Sequence, residues 1–503
     1  MGKPVTKSAP IPPSPPVPTG FITREECEKR FVEAKDAVSH LSASVLCFGV
    51  LLAGGASRLQ AQTNEAANQV KPIDWAKFKP GPAQGADAER FGKILLNANK
   101  YALTTWWAER GFAQPAPDGY LDFKGTQERR IRPAAAEAQG LAVSLRLDLY
   151  RAEATGVSPV EAEQKLLALI RSLTHRHRAN STNGWGSVWQ SAAWAAYTVM
   201  AGWLMWDRLE PATRSELVKM AESEAAWVVS NKGKPKIKTY RDRAGKIISP
   251  GDTGTEENAW DASLLVAATA MMPQHPQHSR WMNKLIALML TAHARPSDVN
   301  RPDIYHGKPL AEWLPGSNLN EDGTLVNHGR IHPDYMTAGL SEFSPVNFYG
   351  LAQRPLPAAS GFNLELPYRA LADLKFVAGE IVAGQTVLPP GGTMFQPNSA
   401  DVYFPQGNDW GTGRREHFAY MDAVLGALSK DAELKQRAAV WEQKHAERVL
   451  EMQTRFPDGH TYANLSEDNF HAREECIAAA AGSAYLLKWL TEQAPPRFTN
   501  EKF

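Results

Sequence analysis

The stretch SVWQSAAWAAYTVMAGWLMW, residues 187–206, decides the fold because it is apolar on nearly every side. Outside its aromatic residues, its polar positions are Ser187, Gln190, Ser191 and Thr198. A helix with this pattern must be buried all round. The segment that follows, TRSELVKM at 213–220, is amphipathic and suits a helix with one exposed face. Buried helices surrounded by amphipathic ones predict an α/α toroid.

The rest of the chain past residue 85 repeats this helical pattern, with apolar residues at three- and four-residue spacing. Helices are predicted near 88–109, 134–156, 158–178, 185–207, 211–230, 255–272, 275–294, 333–352, 362–384, 415–428, 431–454 and 471–492. Paired as six hairpins with the even-numbered helices inside, they predict an all-α (α/α)6 toroid over residues 88–494. It forms a single large domain with no sizeable β domain, and its long loops emerge at one mouth.

The first 62 residues are predicted to lie outside this fold. Residues 1–20 are rich in proline and typical of disorder, whereas the apolar run at 44–53 is too short to span a bilayer. A signal peptide near 41–61 is therefore expected, with a true translation start downstream of Met1 and a periplasmic or secreted product. A short buried helix in a cytosolic protein is the alternative. A linker at 63–87 and a tail at 495–503 complete the predicted organisation.

Composition excludes several classes of function. The 503 residues are 43% hydrophobic and 22% charged, with a formal net charge of +1, so neither a nucleic-acid partner nor a stable membrane anchor is expected. Removal of a leader would leave Cys476 as the one cysteine, which excludes an intrachain disulfide. The chain has no GxSxG, P-loop or GxGxxG motif, and no cofactor is expected.

The segment EDGTLVNHGRIHPDY, residues 321–335, concentrates polar chemistry that no protein core requires. Pro333 favours a helix start, so the segment joins a loop to a helix N-terminus, where backbone N–H groups suit an anion. No metal is expected at its two histidines, because Pro333 keeps them from sharing one helical face. The catalytic residues predicted here are Asn327, His328, Arg330, His332 and Tyr335.

Other polar and aromatic residues are predicted at the same mouth of the barrel. Aromatic faces beside amides suit stacking on sugars, although each could instead be a core residue, a helix-dipole partner or part of a turn. The predicted substrate-binding residues are Trp185, Trp189, Gln190, Glu256, Glu257, Asn258, Trp260, Asn408, Asp409 and Trp410. A basic loop at 232–246 is either solvated or able to steer a polyanion.

The six-hairpin layout, with Asn327-His328, Arg330 and Tyr335 at a loop–helix junction, resembles the α/α-toroid polysaccharide lyases. That group contains alginate lyases and heparinase II/III-like proteins, and the layout resemblance covers residues 88–492. It implies β-elimination on an acidic polysaccharide or oligosaccharide without a metal. By resemblance, Asn327 and Arg330 bind the uronate carboxylate. His328 and Tyr335 are the base and the acid, and His332 can replace either.

Three alternatives remain open from the sequence. The motif could be a polar network that bridges helices, or the protein could bind oligosaccharides without catalysis. It could also be an inverting glycoside hydrolase that uses two carboxylates. Carboxylates available for that reaction are Asp252, Glu256, Asp322, Asp334 and Asp409. The polysaccharide, the endo or exo mode and the oligomeric state are left undetermined.

Overall fold

The structure is a computed structural model that describes residues 69–231, 233–241, 246–410, 415–464, 466–468, 470 and 473–503. The predictions for residues 1–62, including the leader at 41–61, lie outside the described residues. The described part of the predicted linker packs against the end of the chain: the Ala83 amide donates to the Tyr485 hydroxyl at 3.0 Å, and Trp75 contacts Trp489. No described helix is both long enough and apolar enough to span a membrane.

The fold is mainly helical, with 55% helix and 6% strand. The principal helices are α1 (Ala86–Tyr101), α2 (Glu128–Arg146), α3 (Pro159–His175), α4 (Ser191–Leu204), α5 (Pro211–Asn231), α6 (Thr255–Met271), α7 (His278–Ala292), α8 (Pro333–Met336), α9 (Ala338–Ser341), α10 (Pro345–Leu351), α11 (Glu365–Asp373), α12 (Arg415–Leu428), α13 (Ala432–Gln453) and α14 (Arg473–Gln493). Short helices lie at Trp107–Glu109, Ala152–Thr155 and Leu310–Trp313. The all-α prediction is confirmed at this level.

Strands occur only as two-stranded pairs within the described ranges, so no sheet closes there. The antiparallel pairs are β1 (Tyr240–Arg241) with β2 (Ile247–Ser249), β3 (Ile304–Tyr305) with β4 (Lys308–Pro309), β5 (Val326–Asn327) with β6 (Arg330–Ile331), β8 (Lys375–Phe376) with β11 (Gly392–Thr393), and β9 (Ile381–Val382) with β10 (Gln385–Thr386). The parallel pair is β7 (Leu356–Pro357) with β12 (Phe498–Thr499), which ties down the predicted tail.

Burial separates two groups of helices. Every residue of α6 is buried, and so is every residue of α4 except Tyr197. The α2 helix packs against α4 and α14, α4 against α6, α6 against α9 and α10, and α12 against α9 and α14. The amphipathic helices lie outside these contacts: α1 packs on α14, α3 on α2, α5 on α4, α7 on α6 and α13 on α12.

Several predicted helices have different bounds in the structure. The helix predicted at 134–156 spans Glu128–Arg146, and Ala152–Thr155 forms a separate short helix. The helix predicted at 333–352 is divided into α8, α9 and α10, because Ser344 is left-handed (φ 46°) and Pro345 begins a new segment. Positive φ at Gly186 and Ser187 delays the start of α4 to Ser191. The helix predicted at 362–384 ends at Asp373, and strands β8 to β10 follow.

Candidate active site

The polar segment begins as a tight β-hairpin. Strands β5 and β6 pair Asn327 with Arg330, so His328 and Gly329 form a two-residue turn. Both have positive φ, 52° and 71°, as a type I′ turn requires, and glycine readily takes the second position. A left-handed conformation is uncommon for a residue with a side chain, and histidine is among those that tolerate it best. His328 therefore has a backbone conformation that neighbouring groups must stabilise.

Asp252, which precedes α6, supplies that support. Its carboxylate oxygens accept hydrogen bonds from the amides of His328 and Gly329, at 2.8 and 2.9 Å. The neighbouring Thr253 amide donates to the Val326 carbonyl at 2.7 Å, which fastens the start of α6 to β5. Asp252 is 2% exposed, so these are buried, charge-assisted hydrogen bonds, which are stronger than neutral ones.

Asp409 brings the two histidines of the segment together. Its oxygens accept hydrogen bonds from Nδ1 of His328 at 2.6 Å and from Nε2 of His332 at 2.8 Å. Partial burial opposes ionisation of this carboxyl, but the hydrogen bonds from His328 and His332 outweigh it and hold the pKa of Asp409 well below its usual range. Asp409 is therefore an anion that accepts from both rings.

These hydrogen bonds determine the tautomers. Nδ1 of His332 is buried without a hydrogen-bond partner among the described residues, so its ring proton is on Nε2, where Asp409 accepts it. His328 likewise donates through Nδ1, which leaves its Nε2 as an acceptor. The Tyr335 hydroxyl lies 3.3 Å from that nitrogen. Asp409, His328 and Tyr335 thus form a continuous line in which the imidazole has an available lone pair.

Asn327 and Glu256 form the neighbouring pair. The Asn327 amide donates to Oε1 of Glu256 at 3.0 Å, while Oε2 of Glu256 is buried with no partner in the described part of the chain. Burial, together with the nearby Glu257 and Asp252 carboxylates, raises the pKa of Glu256 to about 8. Near neutral pH, Glu256 is therefore a neutral acid that can donate a hydrogen bond.

Both groups face one cavity of about 510 Å³. This volume suits a small-molecule or oligosaccharide ligand. The predicted site residues that line it are Trp189, Gln190, Glu256, Trp260, Asn327, His328, Tyr335 and Trp410. The structure therefore brings residues from four separate segments of the chain to one cavity, which is the arrangement expected of a ligand site.

Aromatic rings form part of the cavity surface. Trp189 is 43% exposed and meets Trp260 edge to face, with ring centroids 5.6 Å apart. Its indole N–H donates to Glu257, which fixes the ring orientation while one face stays accessible. Trp410 lies beside His328, with centroids 5.6 Å apart. An exposed indole held in place by a carboxylate is a suitable platform for the C–H face of a sugar.

The cavity lining also includes arginines that were not among the predicted site residues. Arg129, Arg132 and Arg473 surround the Phe470 ring, with guanidinium carbons 6.0, 5.8 and 5.3 Å from its centroid. Nη1 of Arg132 also lies 3.1 Å from Oε1 of Glu128. Arg129 and Arg132 occupy the first turns of α2, and the RRIRP sequence at 129–133 was available as a signal. The helix predicted at 134–156 begins after these arginines, whereas α2 begins at Glu128 and contains them.

Several predicted substrate residues have structural contacts instead. Trp185 is 1% exposed, and its indole donates to the Leu173 carbonyl at 2.9 Å. Asn258 makes two 2.8 Å hydrogen bonds with the backbone of Lys236, in the basic loop, part of which lies outside the described residues. Asn408 accepts from the Trp410 amide in a local turn. None of the three lines the cavity.

Two predicted catalytic residues are also absent from the cavity lining. His332 is fully buried behind Asp409, so it cannot replace His328 or Tyr335 at a substrate. Arg330 lies beside Gly407 and, in this conformation, does not supply the cation expected at the carboxylate. Asp322 was one of the carboxylates considered for hydrolysis. It accepts hydrogen bonds from the amide and the hydroxyl of Thr324 in a local turn.

Comparison with known proteins gives no information about the function of this cavity. No family model, curated protein or solved structure matches the chain. The fold and the cavity define a mainly helical protein with a ligand-sized cavity lined by aromatic and polar side chains. That site joins an Asp–His–Tyr line to a neutral glutamic acid.

Proposed function

We propose that the inner helices close a ring, so that the fold is an (α/α)6 toroid with the cavity at its mouth. The sequence of contacts from α2 through α4, α6, α9 and α10, α12 and α14 back to α2 supports this arrangement. Residues at or just before the N-terminal ends of these inner segments supply lining groups, among them Arg132, Glu256 and Arg473. Helix N-termini directed at one cavity favour an anionic ligand.

We further propose that the protein cleaves a uronate-containing polysaccharide by β-elimination. The observation that carries this proposal is the His328 ring, whose unprotonated Nε2 lies beside Tyr335 at the cavity while Asp409 holds its other nitrogen. β-Elimination requires a positioned base, an acid for the leaving oxygen and donors that neutralise the adjacent carboxylate. Asn327 and the neutral Glu256 are those donors.

In the proposed reaction, the Nε2 of His328 takes the proton from C5 of the uronate. The C5–H electron pair forms the C4–C5 double bond, and the C4–O bond breaks. The leaving oxygen takes the Tyr335 hydroxyl proton. The phenolate then recovers a proton from His328 along their 3.3 Å contact, so the line returns to its starting state. Hydrogen bonds from Asn327 and Glu256 stabilise the negative charge that develops on the carboxylate.

The proposed substrate is an acidic polysaccharide or oligosaccharide. Arg129, Arg132 and Arg473 are the arginines of the lining, where Arg132 and Arg473 also contact carboxylates, and Trp189 provides a stacking surface. The chain as a whole has a net charge of only +1, so recognition of the polyanion depends on this local arrangement. An exported location, proposed from the leader predicted at 41–61, is where such polymers are met.

Inverting hydrolysis is the second candidate, because Glu256 and Asp334 both line the cavity. A carboxyl with a raised pKa is suited to act as a general acid, and a second carboxylate could activate water. Asp252 and Asp409 are poorer partners, since the first accepts two turn amides and the second accepts from two histidines.

Incubation with a panel of uronate polymers distinguishes these functions. β-Elimination gives products that absorb in the ultraviolet, hydrolysis gives new reducing ends without that absorbance, and a non-catalytic protein gives neither. We expect His328→Ala and Tyr335→Phe to lower turnover by about 100-fold or more, because each removes a proton-transfer group. Tyr120→Phe, away from the cavity, is the matched control and should retain activity. Full activity in both site variants would contradict the proposed mechanism.

A further inference from the structure

The cluster that orients His328 also has the composition of a transition-metal site. Among the described residues, the ligand atoms of His328, His332 and Asp409 all lie within 4.8 Å of one another. Two imidazoles and a carboxylate are preferred Zn²⁺ ligands. Pro333 keeps His328 and His332 from sharing one helical face, but a third ligand lies beside both of them. Asp409 completes the set from a loop 81 residues further along the chain than His328.

We propose that His328, His332 and Asp409 form a reversible Zn²⁺ site, and that metal binding there switches off the proposed reaction. This inference rests on the proposed function for its inhibitory consequence, but not for the existence of the site. The ion would be held by Nδ1 of His328, Nε2 of His332 and one Asp409 oxygen. With three protein ligands, a fourth tetrahedral position stays open for water.

The present contacts need only a small expansion to admit the ion. Ligands about 2.0–2.2 Å from one zinc ion are separated by roughly 3.3 Å or more, whereas the two nitrogens lie 2.6 and 2.8 Å from Asp409 oxygens. Asp409 and His328 have side chains 35% and 38% exposed, so both have room to move. His332 is fully buried and provides the fixed ligand.

Metal binding would change the tautomer of the catalytic ring. In the metal-free cluster Nδ1 of His328 carries the proton, and zinc needs the lone pair of that same nitrogen. The proton must then move through solvent to Nε2, with no net change in protonation. An Nε2–H group cannot accept the C5 proton, so zinc-bound His328 cannot act as the base. Zinc therefore acts as an inhibitor here and not as a cofactor.

The environment of His332 lowers the zinc affinity of this site enough to make binding reversible. Zinc on Nε2 places the ring proton on Nδ1, and that atom is buried with no hydrogen-bond partner in the described part of the chain. Metal-binding histidines normally donate this proton to an acceptor, and loss of such a partner costs about 10- to 100-fold in metal affinity. We therefore expect binding well below the affinity of a structural zinc site.

The test measures zinc binding directly, by competition with a chromophoric chelator on the purified full chain. We expect one competing site in the wild type, and an affinity at least about tenfold lower in Asp409→Asn and His332→Gln. Asp409 is on a partly exposed loop, so its variant remains informative if the His332 variant fails to fold. Tyr335→Phe is the matched control, because it contacts His328 without being a ligand and should bind zinc like the wild type.

Each outcome decides the inference separately from the proposed function. Absence of competition by the wild type, or equal competition by Asp409→Asn, would overturn the zinc site whether or not the protein is a lyase. If ultraviolet-absorbing product forms, added Zn²⁺ should abolish its formation and a chelator should restore it. Stimulation by zinc would overturn the inhibitory role. Absence of product from every polymer would reject the lyase proposal and leave the binding result intact.

Discussion

Glu256→Gln tests whether a neutral acid lies in this cavity. Glu256 is 6% exposed, and burial raises its pKa from 4.5 to about 8. The folded protein therefore retains this proton at pH values where the unfolded chain has lost it. As pH rises between 4.5 and 8, the carboxyl lowers the free energy of unfolding, and the full penalty is reached above pH 8. Glutamine does not titrate, so the variant escapes this penalty.

The expected size follows from the difference between the usual pKa of 4.5 and the raised pKa of about 8. At about 1.36 kcal/mol per unit, ionised Glu256 costs about 5 kcal/mol above pH 8 and about 2 kcal/mol at pH 6. The advantage of Glu256→Gln over the wild type should therefore grow by about 3 kcal/mol between pH 6 and pH 9. In Glu256→Gln, the side-chain NH₂ group at the Oε2 position has no hydrogen-bond acceptor. This lowers the free energy of unfolding of the variant by about 1–3 kcal/mol at every pH.

Urea unfolding followed by far-ultraviolet circular dichroism at pH 6 and pH 9 measures this difference. Exposed Glu89 on α1 provides the control variant Glu89→Gln, whose stability should follow the wild type at both pH values. A pH-independent difference between Glu256→Gln and the wild type would refute the assignment of a neutral Glu256. If the proposed reaction occurs, the variant should also retain activity above pH 8, because its amide still donates to the substrate carboxylate.

Two further substitutions test the supports of the site. Asp252→Asn should speed hydrogen exchange at the His328 and Gly329 amides and lower turnover about tenfold or more. The asparagine oxygen replaces one of the two carboxylate acceptors, but its NH₂ group faces the second backbone amide and cannot accept from it. Unchanged exchange at both amides would contradict this role for Asp252. Trp189→Ala should raise KM for an oligosaccharide about tenfold with little change in kcat, since stacking contributes to substrate binding. A loss confined to kcat would show that the ring has another role.

Local physical rules made the helices predictable. The apolar run at 187–206 has no exposed face, and α4 is accordingly buried. Ser158 followed by Pro159 is a local start signal at the helix predicted near 158–178, and the Ser158 hydroxyl accepts from the Glu161 amide at the start of α3. Such signals act within a few residues, so they survive without knowledge of the rest of the fold. Helix ends were less predictable where a left-handed residue such as Ser344 interrupts the pattern.

The density of polar groups in residues 321–335 made this segment the candidate site from sequence alone, and Asn327, His328 and Tyr335 line the cavity. The roles within it required the tertiary structure. Asp409 is the residue that joins His328 to His332, and it is distant from both in sequence. Trp185 and Trp189 are four residues apart, yet one is buried and the other is 43% exposed.

Amino-acid order by itself therefore determined a mainly helical chain, the contrast between buried and amphipathic helices, and a polar segment that supplies part of the cavity lining. The tertiary structure decided which loops meet, that burial and neighbouring carboxylates keep Glu256 protonated near neutral pH, and that Arg132 faces the cavity while Arg330 does not. The physical reason is range: hydrophobic periodicity and helix capping act over a few residues, whereas desolvation and convergence of side chains depend on atoms brought together from distant parts of the chain.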